Sequence, residues 1–255
     1  MSRRLLQHLA GALVSASLFI SLVSAQTGAK DGEWRTYGAD LGNTKYSPLS
    51  QIDATNFNKL QLAWRFHTEN LGPRPETNME VTPLMAKGIL YTTAGSRRAV
   101  VALDAATGEL LWVHRENEGP RGAAAPRQLS GRGLSYWTDG KEERILYVTQ
   151  GYRLIALDAK SGNPIPSFGK AGVVDLKQDD DQKIEPDLTT GEIGWQSAPT
   201  VAGDMILVGS AFREGFTPAS YRNNKGSARA YDVRSGKKIW EFHTIPQKEI
   251  GRAHV

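Results

Sequence analysis

One short pattern recurs along the chain and restricts its fold more than any other feature. Ala102-Leu103-Asp104-Ala105-Ala106-Thr107-Gly108 runs on to Trp112, and Ala230-Tyr231-Asp232-Val233-Arg234-Ser235-Gly236 runs on to Trp240, with eight residues from Asp to Trp both times. A third copy, Ala156-Leu157-Asp158-Ala159-Lys160-Ser161-Gly162, keeps the turn, replaces the next residues with Asn163-Pro164-Ile165-Pro166 and carries Phe168 near the aromatic position. A fourth survives only at its end, where Leu62-Ala63-Trp64-Arg65-Phe66-His67-Thr68 parallels Ile239-Trp240-Glu241-Phe242-His243-Thr244. Upstream of the complete copies lie the β-rich runs Ile89-Leu90-Tyr91, Ile145-Leu146-Tyr147-Val148 and Met205-Ile206-Leu207-Val208.

Each unit therefore reads strand, strand, Asp-x-x-(Ser/Thr)-Gly turn, strand ending in an aromatic, with no amphipathic helix between copies. The Asp carboxylate accepts backbone N–H groups across the reversal, and Gly takes the positive φ of a tight hairpin. The Trp supplies an apolar plate that one unit cannot bury alone, so neighbouring units must stack. The predicted fold class is all-β, a β-propeller of radially arranged antiparallel sheets. The Asp-to-Asp intervals exceed the ~40–45 residues of a bare blade. The sequence thus places insertions in loops around Glu118–Gly140 and Lys170–Gly194, where functional groups tend to collect.

Composition removes other classes. With 255 residues, 40% hydrophobic and a net charge of +4, the chain is neither disordered nor built of repeated membrane spans. With no cysteine there is no disulfide framework, thiolate zinc site or cysteine nucleophile. The five histidines show no metal-ligand spacing. No basic stripe with interleaved aromatics points to nucleic acid. Residues 1–25 read as a signal peptide, with Arg3 and Arg4, an apolar run from Leu9 to Val23 and the small-residue ending Val23-Ser24-Ala25; the alternative is an uncleaved anchor helix. The expectation is a periplasmic protein with no stable membrane span after cleavage.

Five segments outside the three complete repeats carry a resemblance. Trp34-Arg35-x-Tyr37-Gly38-x-Asp40, followed by Tyr46-Ser47-Pro48-Leu49 and Leu60-x-Leu62-Ala63-Trp64, resembles the lead-in of pyrroloquinoline quinone (PQQ) dependent dehydrogenases. Glu80-Val81-Thr82-Pro83-Leu84 and Gly131-Arg132-Gly133-Leu134-Ser135-Tyr136-Trp137 look like two further segments of that family. The resemblance implies an eight-bladed propeller, of which about four blades fall in residues 26–249. It also implies PQQ beside calcium near the axis, calcium as Lewis acid, a carboxylate that removes the substrate's hydroxyl proton, and hydride transfer to the quinone.

Position by position, Glu80, Arg132 and Gln196 fall on cofactor-contacting sites of the family and Glu214 on a calcium-ligating one. The plain alternatives are a solvated Glu80 at a strand edge, a surface Arg132 in a Gly-rich loop and a structural or surface role for Glu214. Gln196 stands where relatives have Thr, and Phe212-Arg213 precede Glu214 where small residues are usual. Pro126-Arg127 stand where many alcohol-oxidising members carry adjacent cysteines, which points to the glucose and polyol branch. A sugar, polyol or alcohol is the expected substrate, and a quinone or cytochrome c the expected electron acceptor.

The family's catalytic Asp and stacking Trp have no match in this chain, and Asp179-Asp180-Asp181 reads as a solvated acidic run. Residues 250–255, Ile250 to Val255, match a reading frame of a sequencing-library adapter and are expected to be a non-native tail on a truncated gene, a fragment without turnover of its own. The competing function is a non-enzymatic propeller that binds partners in envelope assembly.

Overall fold

A computed structural model describes residues 32–179, 188–189, 193–212 and 226–244. The leader at 1–25, the tail at 250–255 and Glu214 lie outside the described residues. Three four-stranded antiparallel sheets follow one another along the chain. The first comprises β1 (Leu84–Ala86), β2 (Ile89–Ala94), β3 (Ala99–Asp104) and β4 (Leu110–His114). In the second are β5 (Ser135–Thr138), β6 (Glu143–Val148), β7 (Arg153–Asp158) and β8 (Val173–Asp175). A two-residue strand, β9 (Ile193–Gly194), pairs with β12 (Ala211–Phe212). The third sheet holds β10 (Thr200–Ala202), β11 (Met205–Gly209), β13 (Ser227–Asp232) and β14 (Lys238–His243).

Each sheet is a propeller blade, and each has one strand more than the sequence suggests. The additional innermost strands β1, β5 and β10 are three or four residues long, too short for a period-two pattern to register. Two of them, β5 and β10, begin within or just after the stretches read as insertions. The second blade also delays its outer strand to Val173, because Pro164 and Pro166 lack the N–H that a ladder requires. The Trp64 copy contributes no strand. It lies over the first blade, where Trp64 and Phe66 join Leu71, Ala94, Val101 and Leu103 in one apolar cluster.

Turn chemistry builds the blades as predicted. The Asp104 carboxylate accepts the Thr107 amide at 2.8 Å and its hydroxyl at 2.9 Å. Asp158 treats Ser161 the same way at 2.8 Å for both, and Asp232 treats Ser235 at 2.7 and 2.6 Å. Gly108, Gly162 and Gly236 close the turns at φ of 75°, 71° and 70°.

The aromatic of one blade then seats on the turn glycine of the next. Trp64 Nε1 donates to the Ala105 carbonyl and Trp112 Nε1 to the Ala159 carbonyl, each at 3.1 Å, and the rings cover Gly108 and Gly162. Phe168 replaces Trp in the second blade and lies against Gly236. Because blades stack through both faces, central strands such as β7 are buried on both sides from Leu154 to Leu157, whereas β4 is largely exposed. One core lies between the first and second blades around Tyr91, Tyr147 and Ile155, and another between the second and third around Leu154, Ile206 and Tyr231.

Candidate active site

Strands alternate in direction within a blade, so the start of the innermost strand, the turn between its second and third strands and the exit of the fourth share one end. Glu80, Arg132 and Gln196 each stand just ahead of an innermost strand, β1, β5 and β10. Blade repetition therefore delivers three residues remote in sequence to one end, beside the propeller axis. The structure brings them together. Arg132 Nε lies 3.5 Å from Glu80 Oε2, with both side chains about half exposed, and the Arg132 amide donates to the Gln196 carbonyl at 2.7 Å. Asn78 Nδ2 holds the other Glu80 oxygen at 3.0 Å.

The glycines flanking Arg132 are required by close approach. Gly131 has φ of 68°, and a Cβ there would lie 2.8 Å from the Gln196 oxygen and 2.9 Å from Arg98 Nε. Gly133, at φ 119°, passes the Thr82 carbonyl with room for no more than a 3.2 Å contact. The loop is thus wedged between the lead-in to β1 and the residue ahead of β10. Glu76 clamps it from outside, accepting the Ser130 amide at 3.0 Å and the Gly95 amide at 2.9 Å.

A cleft of about 360 Å³ opens beside Arg132, lined by Arg35, Tyr37, Tyr136, Trp195 and Ser197. Arg35 sits over the Tyr136 ring at 5.4 Å, and its partner Glu33 is held below the ordinary carboxylate range: burial opposes the charge, and the Arg35 and Lys87 bonds outweigh it. Trp195 Nε1 is buried with no hydrogen-bond partner among the described residues, an unmet donor next to Gln196.

Sequence reasoning missed Arg35 and Glu76 as organisers of this end, because charged residues in loops read as solvated. It also read Asp179 as solvated, whereas that carboxylate accepts the Tyr231 hydroxyl at 2.8 Å and lies 3.7 Å from Lys238. Asp179 is a structural acceptor bridging to the third blade. Among the described residues no group of three or more His, Asp or Glu could hold a metal ion, and no helix is long and apolar enough to cross a membrane.

Stacked blades seated through Trp and Phe, with a polar cluster at the starts of their innermost strands, define a β-propeller with a candidate site at the axial end. The particular family follows from comparison. The model of the PQQ glucose/ethanol/alcohol dehydrogenase β-propeller domain matches residues 34–254, and the chain belongs to that family. It is 31% identical over 233 residues to the dehydrogenase subunit of a quinone alcohol dehydrogenase of Gluconobacter oxydans, covering 90% of this chain and 27% of that protein. It is 30% identical to the quinoprotein glucose dehydrogenase of the same organism, covering 82% and 27%. Among solved structures, the quinohemoprotein alcohol dehydrogenase from Comamonas testosteroni superposes with a TM-score of 0.64 at 26% identity, over 87% of this chain and 28% of that one. The chain thus spans little more than a quarter of the length of the relatives it matches.

Proposed function

We propose that this chain supplies the Glu80, Arg132 and Gln196 portion of a PQQ site in a periplasmic dehydrogenase that oxidises a hydroxyl of a sugar, polyol or alcohol. The observation that carries this reading is the convergence of those three residues at the starts of adjacent innermost strands, in a chain of the PQQ family. When bound, PQQ supplies an ortho-quinone that accepts hydride. The residues present suit a flat, carboxylate-bearing group. Arg132 is half exposed and engages Glu80 at only 3.5 Å, so its planar fork can turn to an anionic oxygen. Glu80 balances the cation. Gly131 and Gly133 let the loop pass close to Gln196 and Thr82, which sets where Arg132 emerges.

Calcium is a different case. The described residues assemble no site for it, and the calcium expectation rests on Glu214, outside them. The periplasmic location rests on the leader-like residues 1–25, and the electron acceptor, a quinone or a cytochrome c, on the family resemblance. Relatives named for alcohol, glycerol and glucose oxidation match at 30–32% identity, so the sugar or polyol preference rests on Pro126-Arg127 in place of paired cysteines.

The test is a PQQ titration of the purified chain, with and without calcium, followed by tryptophan quenching. Saturable binding that Arg132→Gln weakens by about tenfold or more supports the reading, since a charge-assisted contact is worth on the order of 1.5–3 kcal/mol. Absence of saturable binding under both conditions would overturn it.

A further inference from the structure

Arg98 lies in the turn between β2 and β3 and is almost wholly buried at 3% exposure. Its backbone takes φ of 54°, a conformation uncommon outside glycine. The turn closes through the Arg98 amide on the Gly95 carbonyl at 3.1 Å, and the side chain runs inward instead of out to solvent. Its guanidinium donates to four carbonyls. Nε reaches Leu129 at 3.2 Å, Nη1 reaches Val148 and Trp195 at 2.8 Å each, and Nη2 reaches Arg127 at 3.1 Å.

These acceptors are distributed in a way that matters for the site. Arg127 and Leu129 belong to the loop that carries Arg132, Val148 ends β6, and Trp195 is the residue before Gln196. One side chain from the first blade therefore ties down the second and third at the cofactor end. Gln150 reinforces the same loop by donating to the Ser96 carbonyl at 2.6 Å and the Leu129 carbonyl at 3.3 Å. The Arg98 Nε also forms the floor under Gly131, whose neighbour Arg132 is fixed by its amide on Gln196.

Stability alone gives little reason for a charge here. Desolvating a guanidinium is costly, and among the described residues no carboxylate forms an ion pair with Arg98 to offset that cost. Burial draws the Arg98 pKa down to about 10, with Glu118, Tyr147 and Glu76 opposing the shift, so the fork remains charged near neutrality. What the fork provides, and a hydrocarbon cannot, is directional bonding to carbonyls of three separate segments.

We infer that Arg98 is the positioning residue of this site: its buried guanidinium holds the Arg127–Gly131 loop and Trp195 so that Arg132 and Gln196 face the cofactor. The inference rests on the reading of Arg132 and Glu80 as PQQ contacts. The control is Arg144, also 3% exposed, which ties the Val233 and Arg234 carbonyls at 2.9 and 2.7 Å at the opposite end of the blades.

Arg98→Met, Arg98→Lys and Arg144→Met are compared with the unaltered chain by thermal melting, hydrogen exchange and PQQ titration. Arg98→Met is expected to speed exchange at the Arg132 amide and to raise the PQQ dissociation constant, each by about tenfold, while Arg144→Met lowers the melting temperature and leaves both within about twofold. Arg98→Lys, which keeps the charge but not the fork, should recover part of each effect, and it decides the matter if Arg98→Met does not fold. Unchanged exchange at Arg132 in the Arg98 variants overturns the inference, as does equal loss of PQQ affinity in Arg144→Met. If the unaltered chain binds no PQQ, the functional reading fails on its own account, and Arg132 exchange still decides whether Arg98 holds the loop.

Discussion

Gly162→Ala tests the joint between blades, because two separable costs meet at that position. The residue sits at φ 71°, and a Cβ would lie 2.5 Å from Trp112 Cε3 and 2.6 Å from Cδ2. The ring cannot retreat freely, since its Nε1 is bonded to the Ala159 carbonyl at 3.1 Å. Positive φ costs an L-residue about 1–2 kcal/mol, and overpacking against a held ring adds about 1–3, so Gly162→Ala should lose about 2–5 kcal/mol. Gly203 supplies the internal reference, with φ of 60° and nothing within 4 Å of where a methyl group would stand. Gly203→Ala should therefore lose only the backbone component, about 1–2 kcal/mol. Equilibrium urea unfolding at constant slope measures both. In a Trp112→Ala background the Gly162→Ala cost should fall to that of Gly203→Ala, a coupling of about 1–3 kcal/mol between the plate and the turn glycine. Equal losses at Gly162 and Gly203 in the unaltered background would refute the seating of Trp112 on the turn.

Two other perturbations follow from the same structure. Asp175 carries opposing influences, burial that disfavours its charge and the Arg121 fork at 2.6 and 2.7 Å that favours it, and the fork prevails, holding the carboxyl below its ordinary value of 3.8. Its contribution is present above that value and is lost as pH falls through the lower folded value. Asp175→Asn should therefore flatten the stability profile below pH 3.8 and lose about 3 kcal/mol near neutrality by leaving Arg121 unpaired; an unchanged acid limb in urea titrations would contradict this. Trp112→Ala should lose about 2–4 kcal/mol, whereas Trp240→Ala, 41% exposed in the outer strand of the third blade, should lose less than about 1; comparable losses would show that Trp240 is also seated.

The parts of the molecule legible in the sequence are those made by local chemistry. Asp104, Asp158 and Asp232 bond amides two and three residues ahead, and Gly108, Gly162 and Gly236 follow at once, so each turn is complete within a few residues. The plate aromatics could be recognised because stacking identical units repeats their spacing. Glu80, Arg132 and Gln196 are singled out only by likeness to positions of the family, and nothing local says that they meet. That follows from antiparallel blades returning the start of every innermost strand to one end.

Arg98 is the opposite case. Nothing local in Gly95-Ser96-Arg97-Arg98 tells the two arginines apart, and Arg97 is exposed while its neighbour is buried. Which arginine turns inward depends on carbonyls at Arg127, Leu129, Val148 and Trp195, contributed by segments up to 97 residues away. The sequence by itself determined the repeating blade, its turns and its seated aromatics, because those interactions close over short spans or repeat with the unit. Only the tertiary structure decided how the blades lock at the site, because a buried guanidinium is directed by acceptors that exist in one place only after three blades have packed.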